Sequence, residues 1–313
     1  MTSRHFKIAL RFLPLALLAA VLWREKPWAV RLADGAAWAV AASILINFAV
    51  FLPLKAARWR IALHDPPPFR RVLAATLEGL LANAAIGFGS GDLVRAARLR
   101  SREGRLALDY ASSWAERAAE LLALALLIFV AALVTNLGVP AVVLSGLLVA
   151  AYVALLRGGR RLAPRLGRWP RAQQALSSGL EASTPRRVAA MTALSLVGWS
   201  AEIAMLLLFQ RAFGLDVSLG TALLTLVGIN AAIAIPATPG NFGTFEAGAA
   251  AALVMGGAPR DVALAYALTY HLTHVVPVAV VATAVFLARS LRGGRIRATD
   301  EHQASGVSGG SSS

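Results

Sequence analysis

The 313-residue chain contains no cysteine, which excludes disulfides, thiolate metal sites and cysteine nucleophiles. Charge is sparse: 15% of residues are Asp, Glu, Lys or Arg, against about 25% in soluble domains. Carboxylates are the scarcer half, 16 beside 31 basic residues. Neither a Walker-type G-x-x-x-x-G-K nor an H-E-x-x-H occurs, so the sequence offers no nucleotide cradle and no zinc-protease helix. The expectation is a protein that is not an enzyme and needs no metal or cofactor.

Hydrocarbon takes the place of charge. Hydrophobic residues make up 58% of the chain and the mean hydropathy is +0.64, with several apolar runs near the ~20 residues that cross a bilayer. The expected fold class is an all-α polytopic membrane protein with six transmembrane helices, at about 8–23, 36–54, 110–135, 139–156, 188–210 and 262–287. Two more apolar regions, 72–91 and 221–256, are broken by glycine and proline. The first run follows a basic start, as a signal peptide would. "WREKPW" stands where a small-residue cleavage site would be, so the run is read as a retained helix.

A net charge of +15 could point to nucleic acid, but its distribution does not. Suppose the amino terminus is cytoplasmic and each broken region returns to the side it left. Segments 1–11, 55–71, 92–105, 157–187 and 288–297 then hold 25 basic residues on the cytoplasmic side, and the opposite side holds five. This is the positive-inside pattern. The arginines are therefore read as setting topology and meeting anionic headgroups, with both termini cytoplasmic and no nucleic-acid partner.

The tetrapeptide "NAAI" stands at 83–86 and again at 230–233. The first copy opens onto "GFGSGD", the second onto "AIPATPGNFGTFE". Non-helical backbone at membrane depth survives only against protein or a wet cavity, because hydrocarbon leaves its polar groups unpaired. Each region reads either as a loop between ordinary spans or as a re-entrant pair of half-helices, and the charge asymmetry favours the second. Units of about 36–135 and 188–287 then form an inverted repeat within one domain, 1–297, with a basic linker at 157–187 and a disordered tail at 298–313. The site is expected where the breaks meet near mid-membrane.

Ionisable residues inside apolar runs are candidates for that site. Glu116 and Glu120 share a helix face, and Arg117 is spaced to pair with Glu120; a structural ion pair and a functional role both fit. Asp92 is placed to pair with Arg95 or to cap the helix beginning there. Glu246 has nothing basic near it in sequence, so its partner is expected from elsewhere, Arg95 or Arg117. Glu78 and Glu202 are further isolated acids. His271 and His274 lie one turn apart beside Tyr270; without a third ligand they read as cavity lining rather than a metal site. Asn83, Asn230, Pro239, Gly240, Asn241 and Gly243 complete the set, with a half-helix amino terminus at Asn241–Gly243 offering a positive dipole end.

The strings "ARWRIAL", "GSGDLVRAARL", "ERAAELLAL" and "PATPGNFGTFEAGAAAAL", in that order, resemble the lysylphosphatidylglycerol synthase transmembrane, or flippase-like, family. The resemblance runs from about residue 8 to 290. It implies the lipid-moving half of that family, as a stand-alone member without the soluble aminoacyl-transferase domain of its larger members. The implied function is a lipid translocase of a bacterial inner membrane, passing a phospholipid headgroup through a polar cavity between the breaks. Arg95 and Arg117 would grip the phosphate, while Asp92, Glu116, Glu120 and Glu246 would meet a cationic headgroup or hold those arginines. Two other readings stay open: an ion- or proton-coupled carrier of a small solute, with Glu246 as protonation site, and a membrane scaffold for a lipid-modifying enzyme docked on 157–187. Membrane lipids are the expected partners, and a homo-oligomer is compatible with each reading.

Overall fold

The computed structural model describes residues 23–24, 30, 32, 36–87, 89–99, 106–134, 138–167, 169–234 and 238–307. All but the last residue of the expected span at 8–23 lies outside the described residues. The chain runs through α1 (Ala36–Ala62), α2 (Phe69–Ala85), α3 (Ser90–Leu99), α4 (Leu106–Val134), α5 (Gly138–Leu162), α6 (Pro170–Ala182), α7 (Pro185–Ala212), α8 (Leu219–Ile233), α9 (Thr244–Met255) and α10 (Arg260–Val307). No strand occurs among the described residues.

Helices α1, α7 and the Arg260–Arg289 part of α10 are apolar and 27, 28 and 30 residues long. At about 1.5 Å per residue, each exceeds the ~30 Å hydrocarbon core. Their neighbours α4 and α5 have 29 and 25 residues. Large apolar side chains face outward, among them Leu121 and Phe129 of α4, Leu147 of α5 and Val280 of α10. Much of the interior is alanine, filled in where α7 meets α10 by Phe209, Tyr266 and Tyr270. Small residues inside and large ones outside suit helices whose surroundings are as apolar as their cores. This is an all-α membrane protein.

Within α1, residues Asn47–Phe51 widen into a π-helical turn. Pro53 stands two residues beyond it; its ring would clash with the carbonyl of Ala49, four residues back, and the wider turn relieves that clash without ending the helix.

Besides α6, with 13 residues, four described helices are too short to cross: α2, α3, α8 and α9 have 17, 10, 15 and 12 residues. They pack as two hairpins, α2 with α3 and α8 with α9. In the first, a Cβ on Gly79 would lie 2.7 Å from the Gly91 carbonyl oxygen, and one on Gly91 would collide with the Gly79 carbonyl. In the second, a Cβ on Gly228 would lie 2.6 Å from the Gly248 oxygen, with the same reciprocal collision. The arms therefore touch backbone to backbone, which only glycine allows.

These crossings fix the correspondence between the hairpins. Asn83 lies against Gly91, and Ala232 against Gly248; each stands four residues after the first glycine of its pair. Asn83 thus corresponds to Ala232 rather than Asn230, and the repeated tetrapeptide is two residues out of structural register. The asparagines also do different work. Asn83 Oδ1 accepts from the Gly91 N–H across the hairpin at 2.8 Å, whereas Asn230 Nδ2 donates within its own helix to the Leu226 carbonyl at 2.8 Å.

The halves of the chain interlock reciprocally. α1 packs on α7, α2 leans on α10, and α8 leans on α4. Each hairpin thereby rests its first arm on the last long helix of the other half, which brings the two turns together. A Cβ on Gly87 would lie 3.4 Å from both the Pro239 Cα and the Thr238 oxygen, and one on Gly240 3.3 Å from the Ala84 oxygen. Both breaks are narrower than the apolar regions 72–91 and 221–256 that contain them. Helix persists to Ala85 in the first and to Ile233 in the second, resuming at Ser90 and Thr244.

The basic linker 157–187 is mostly helical. It contains the end of α5, a 3₁₀ turn at Ala163–Leu166, and α6, which packs on α4 with Gly179 close to Ala111. Helix α10 continues to Val307, well into the segment 298–313 that composition marked as disordered. Residues 298–307 contain no proline, the residue that most strongly interrupts a helix.

Candidate functional site

Beside the first turn, α1, α3, α4 and α7 enclose a connected set of charges. Glu116 joins two guanidiniums: Arg95 Nη2 is 2.7 Å from its Oε2 and Arg58 Nη2 is 3.3 Å from its Oε1. Arg58 also reaches Glu120 Oε1 at 2.9 Å and donates to Ser195 Oγ of α7 at 3.0 Å. Asp92, in the first turn of α3, receives Arg95 at 3.1 Å. Its other oxygen accepts from Nε and Nη2 of Arg117 at 2.8 and 2.7 Å. The Arg95 guanidinium lies over the Trp59 ring at 4.5 Å, and the Trp59 indole N–H donates to Ser112 Oγ at 2.9 Å. Lys55 interacts electrostatically with Glu120 and Glu116.

Ions out of water need partners within the fold, and among the described residues of this cluster the cations exceed the anions by one, Lys55 standing near the carboxylates without an ion pair. Lys55, Arg58, Arg95 and Arg117 face Asp92, Glu116 and Glu120. Arg58, Arg95 and Glu116 are buried, while the Arg117 side chain is 48% exposed. The cluster is closed at its centre and open at Arg117, a geometry suited to receiving one further anion.

The second turn carries a different arrangement. Glu246 Oε1 is 2.7 Å from His271 Nδ1, and its Oε2 accepts from the Gly243 N–H at 2.6 Å. The His271 ring is flanked by Phe245, stacked at 4.1 Å, and Phe242 at 4.7 Å. One turn along, Tyr270 donates to Glu202 Oε1 at 2.7 Å, and His274 Nε2 stands 3.8 Å from Glu202 Oε2. His274 Nδ1 is 2.9 Å from the Tyr270 carbonyl, a pairing that requires the proton on Nδ1. A third group ties α2, α3 and α10: Glu78 holds Arg98 at 2.5 Å and Arg289 at 3.0 Å, with Arg98 over the Phe286 ring. No cluster of three or more His, Asp or Glu suited to a metal ion occurs among the described residues.

Several expectations change. Glu246 pairs with His271, not with Arg95 or Arg117, because α9 packs on α10 and brings that imidazole to it. Arg117 turns to Asp92 rather than Glu120, which goes to Arg58 from across the bundle. The helix amino terminus at Asn241–Gly243 does not stand free for a ligand, since Glu246 folds back onto the Gly243 N–H as an acidic third residue commonly does. Pro239 and Gly240 sit in the turn itself, touching the other hairpin. Gly243 and Asn241 adopt φ of 89° and 59°, reversals that Gly and, less readily, Asn tolerate. Arg58 and Lys55 are site members that sequence reasoning counted only as topology charges. The position of "ARWRIAL" directly after an apolar run was the available signal.

These features define a polytopic helical membrane protein whose two broken hairpins meet beside buried ion clusters. Residues 7–282 match the model of the family described as lysylphosphatidylglycerol synthase TM region, and the chain belongs to that family. Comparison with curated proteins and with solved structures returns no match.

Proposed function

We propose that this chain transports lipid without modifying it, carrying a phosphate-bearing headgroup between the leaflets of a bacterial inner membrane while the acyl chains stay in the bilayer. In this reading the hairpins are re-entrant, entering from opposite faces as the two arms of an inverted repeat. The observation that carries it is the contact of the two turns at Gly87 and Thr238–Pro239, beside a charge cluster with one cation in excess. A lipid phosphate would complete that cluster, arriving at the half-open Arg117 and displacing part of its hold on Asp92. Guanidinium suits this role because it meets phosphate through paired N–H groups. The family match is consistent with lipid handling, and the basic linker would rest on anionic headgroups at the cytoplasmic face.

The test is reconstitution into vesicles with fluorescent phosphatidylglycerol, following the fraction protected from an external quencher. Transfer above empty vesicles that falls in Arg117→Gln and Glu116→Gln is the expected result. Transfer no faster than in empty vesicles would reject lipid movement.

The second hairpin favours one other reading. Two histidine–carboxylate contacts, Glu246 with His271 and Glu202 with His274, are groups through which protons could couple to solute movement. A proton flux that requires His271 and a water-soluble solute, with no lipid transfer, would select that reading.

A further inference from the structure

Away from both turns, α4, α5 and α7 enclose an open groove of about 590 Å³. Its walls are mostly hydrocarbon, including Leu122, Leu156, Val188 and Leu196. Two polar residues facing it are already engaged, since Ser183 Oγ donates to the Gly179 carbonyl and Thr192 Oγ1 to that of Ala119. Two others are not. Tyr152 is 8% exposed, and its hydroxyl is buried with no hydrogen-bond partner. A buried hydroxyl left unpaired costs free energy that a ligand oxygen would restore. Arg160 lies eight residues further along α5 on the same face, with no ion pair among the described residues, and its charge acts on Tyr152.

We infer that this groove binds a glycerophospholipid, with an acyl chain along the α4–α7 wall, the phosphate received by Arg160 and a glycerol or ester oxygen by the Tyr152 hydroxyl. Charge, an unpaired hydroxyl and an apolar trough meet here in the order in which a lipid presents phosphate, glycerol and chain. The trough adjoins the central cluster through a shared wall: Thr192 lines it, and Ser195, one turn further along α7, accepts from Arg58. Binding here does not depend on translocation, so the two proposals stand or fall separately.

The probe is phosphatidylglycerol with a diazirine on one acyl chain, photolysed with the full chain in mixed micelles and the adducts mapped by peptide mass spectrometry. Adducts on α4, α5 and α7 are expected, falling about tenfold in Arg160→Gln, the scale of one charge-assisted hydrogen bond, and less in Tyr152→Phe. Ala193→Trp, which fills the trough, should remove them. Should that variant misfold, the surface substitution Arg160→Gln still decides the matter. Equal labelling by diazirine diacylglycerol, which has no phosphate, would overturn the inference. So would displacement of the lipid by inorganic phosphate alone, or adducts insensitive to both Arg160→Gln and Tyr152→Phe.

Discussion

In the hairpin of α2 and α3, arms meeting at Gly79 and Gly91 lead to Asp92, which two guanidiniums hold. In the hairpin of α8 and α9, arms meeting at Gly228 and Gly248 lead to Glu246, held by an imidazole and a backbone N–H. The backbone solution is shared because its cause is shared: two helix arms can approach that closely only where neither has a Cβ. The electrostatic solutions differ. Guanidinium keeps its charge at any working pH, whereas imidazole is the side chain whose charge changes near neutrality. One hairpin is built around guanidinium–carboxylate pairs and the other around an imidazole–carboxylate contact, so two hairpins with one backbone solution need not be two equal sites.

Substitutions can press on this contrast. The largest loss is expected from Glu116→Gln, which leaves Arg58 and Arg95 without their common carboxylate; removing one partner of a buried ion pair costs about 3–5 kcal/mol. Denaturant titration in micelles, followed by tryptophan fluorescence, measures it. Gly79→Ala and Gly228→Ala should each cost roughly 1–3 kcal/mol, since the new methyl must displace backbone. A large loss in one and none in the other would refute the shared crossing. Glu246→Gln keeps acceptors and donors for Gly243 and His271, so a loss of about 1–2 kcal/mol is expected, well below that of Glu116→Gln. Equal losses would erase the electrostatic contrast. The smallest pair separates the two asparagines. Asn83→Ala should cost about 1 kcal/mol for its bond across the hairpin, and Asn230→Ala should stay within about 0.5 kcal/mol, since its amide serves only its own helix.

The helix breaks and the paired short helices were legible in the sequence, because glycine and proline inside apolar runs permit few conformations. The acids Asp92, Glu116, Glu120 and Glu246 were legible too, since an apolar run makes each conspicuous. Their partners were not. Arg58 lies at the end of an apolar run, where basic residues ordinarily mark the cytoplasmic side, and nothing local distinguishes a buried arginine from one on a headgroup. Glu246 and His271 are 25 residues apart, and only the packing of α9 on α10 joins them. The repeated "NAAI" pointed to paired hairpins through letters that do not superpose; the glycine crossings carry the correspondence.

The contact of the two turns is the claim on which the site rests, and the cysteine-free chain makes it directly measurable. Cysteines replace Ile86 and Thr238, a protease site is placed between the 3₁₀ turn and α6, and intact membranes are treated with a short bifunctional thiol reagent. After cleavage, the halves are expected to stay joined under denaturing conditions, with single-cysteine controls separating. Halves that separate, with the two cysteines labelled by an impermeant reagent from opposite sides of the membrane, would contradict it.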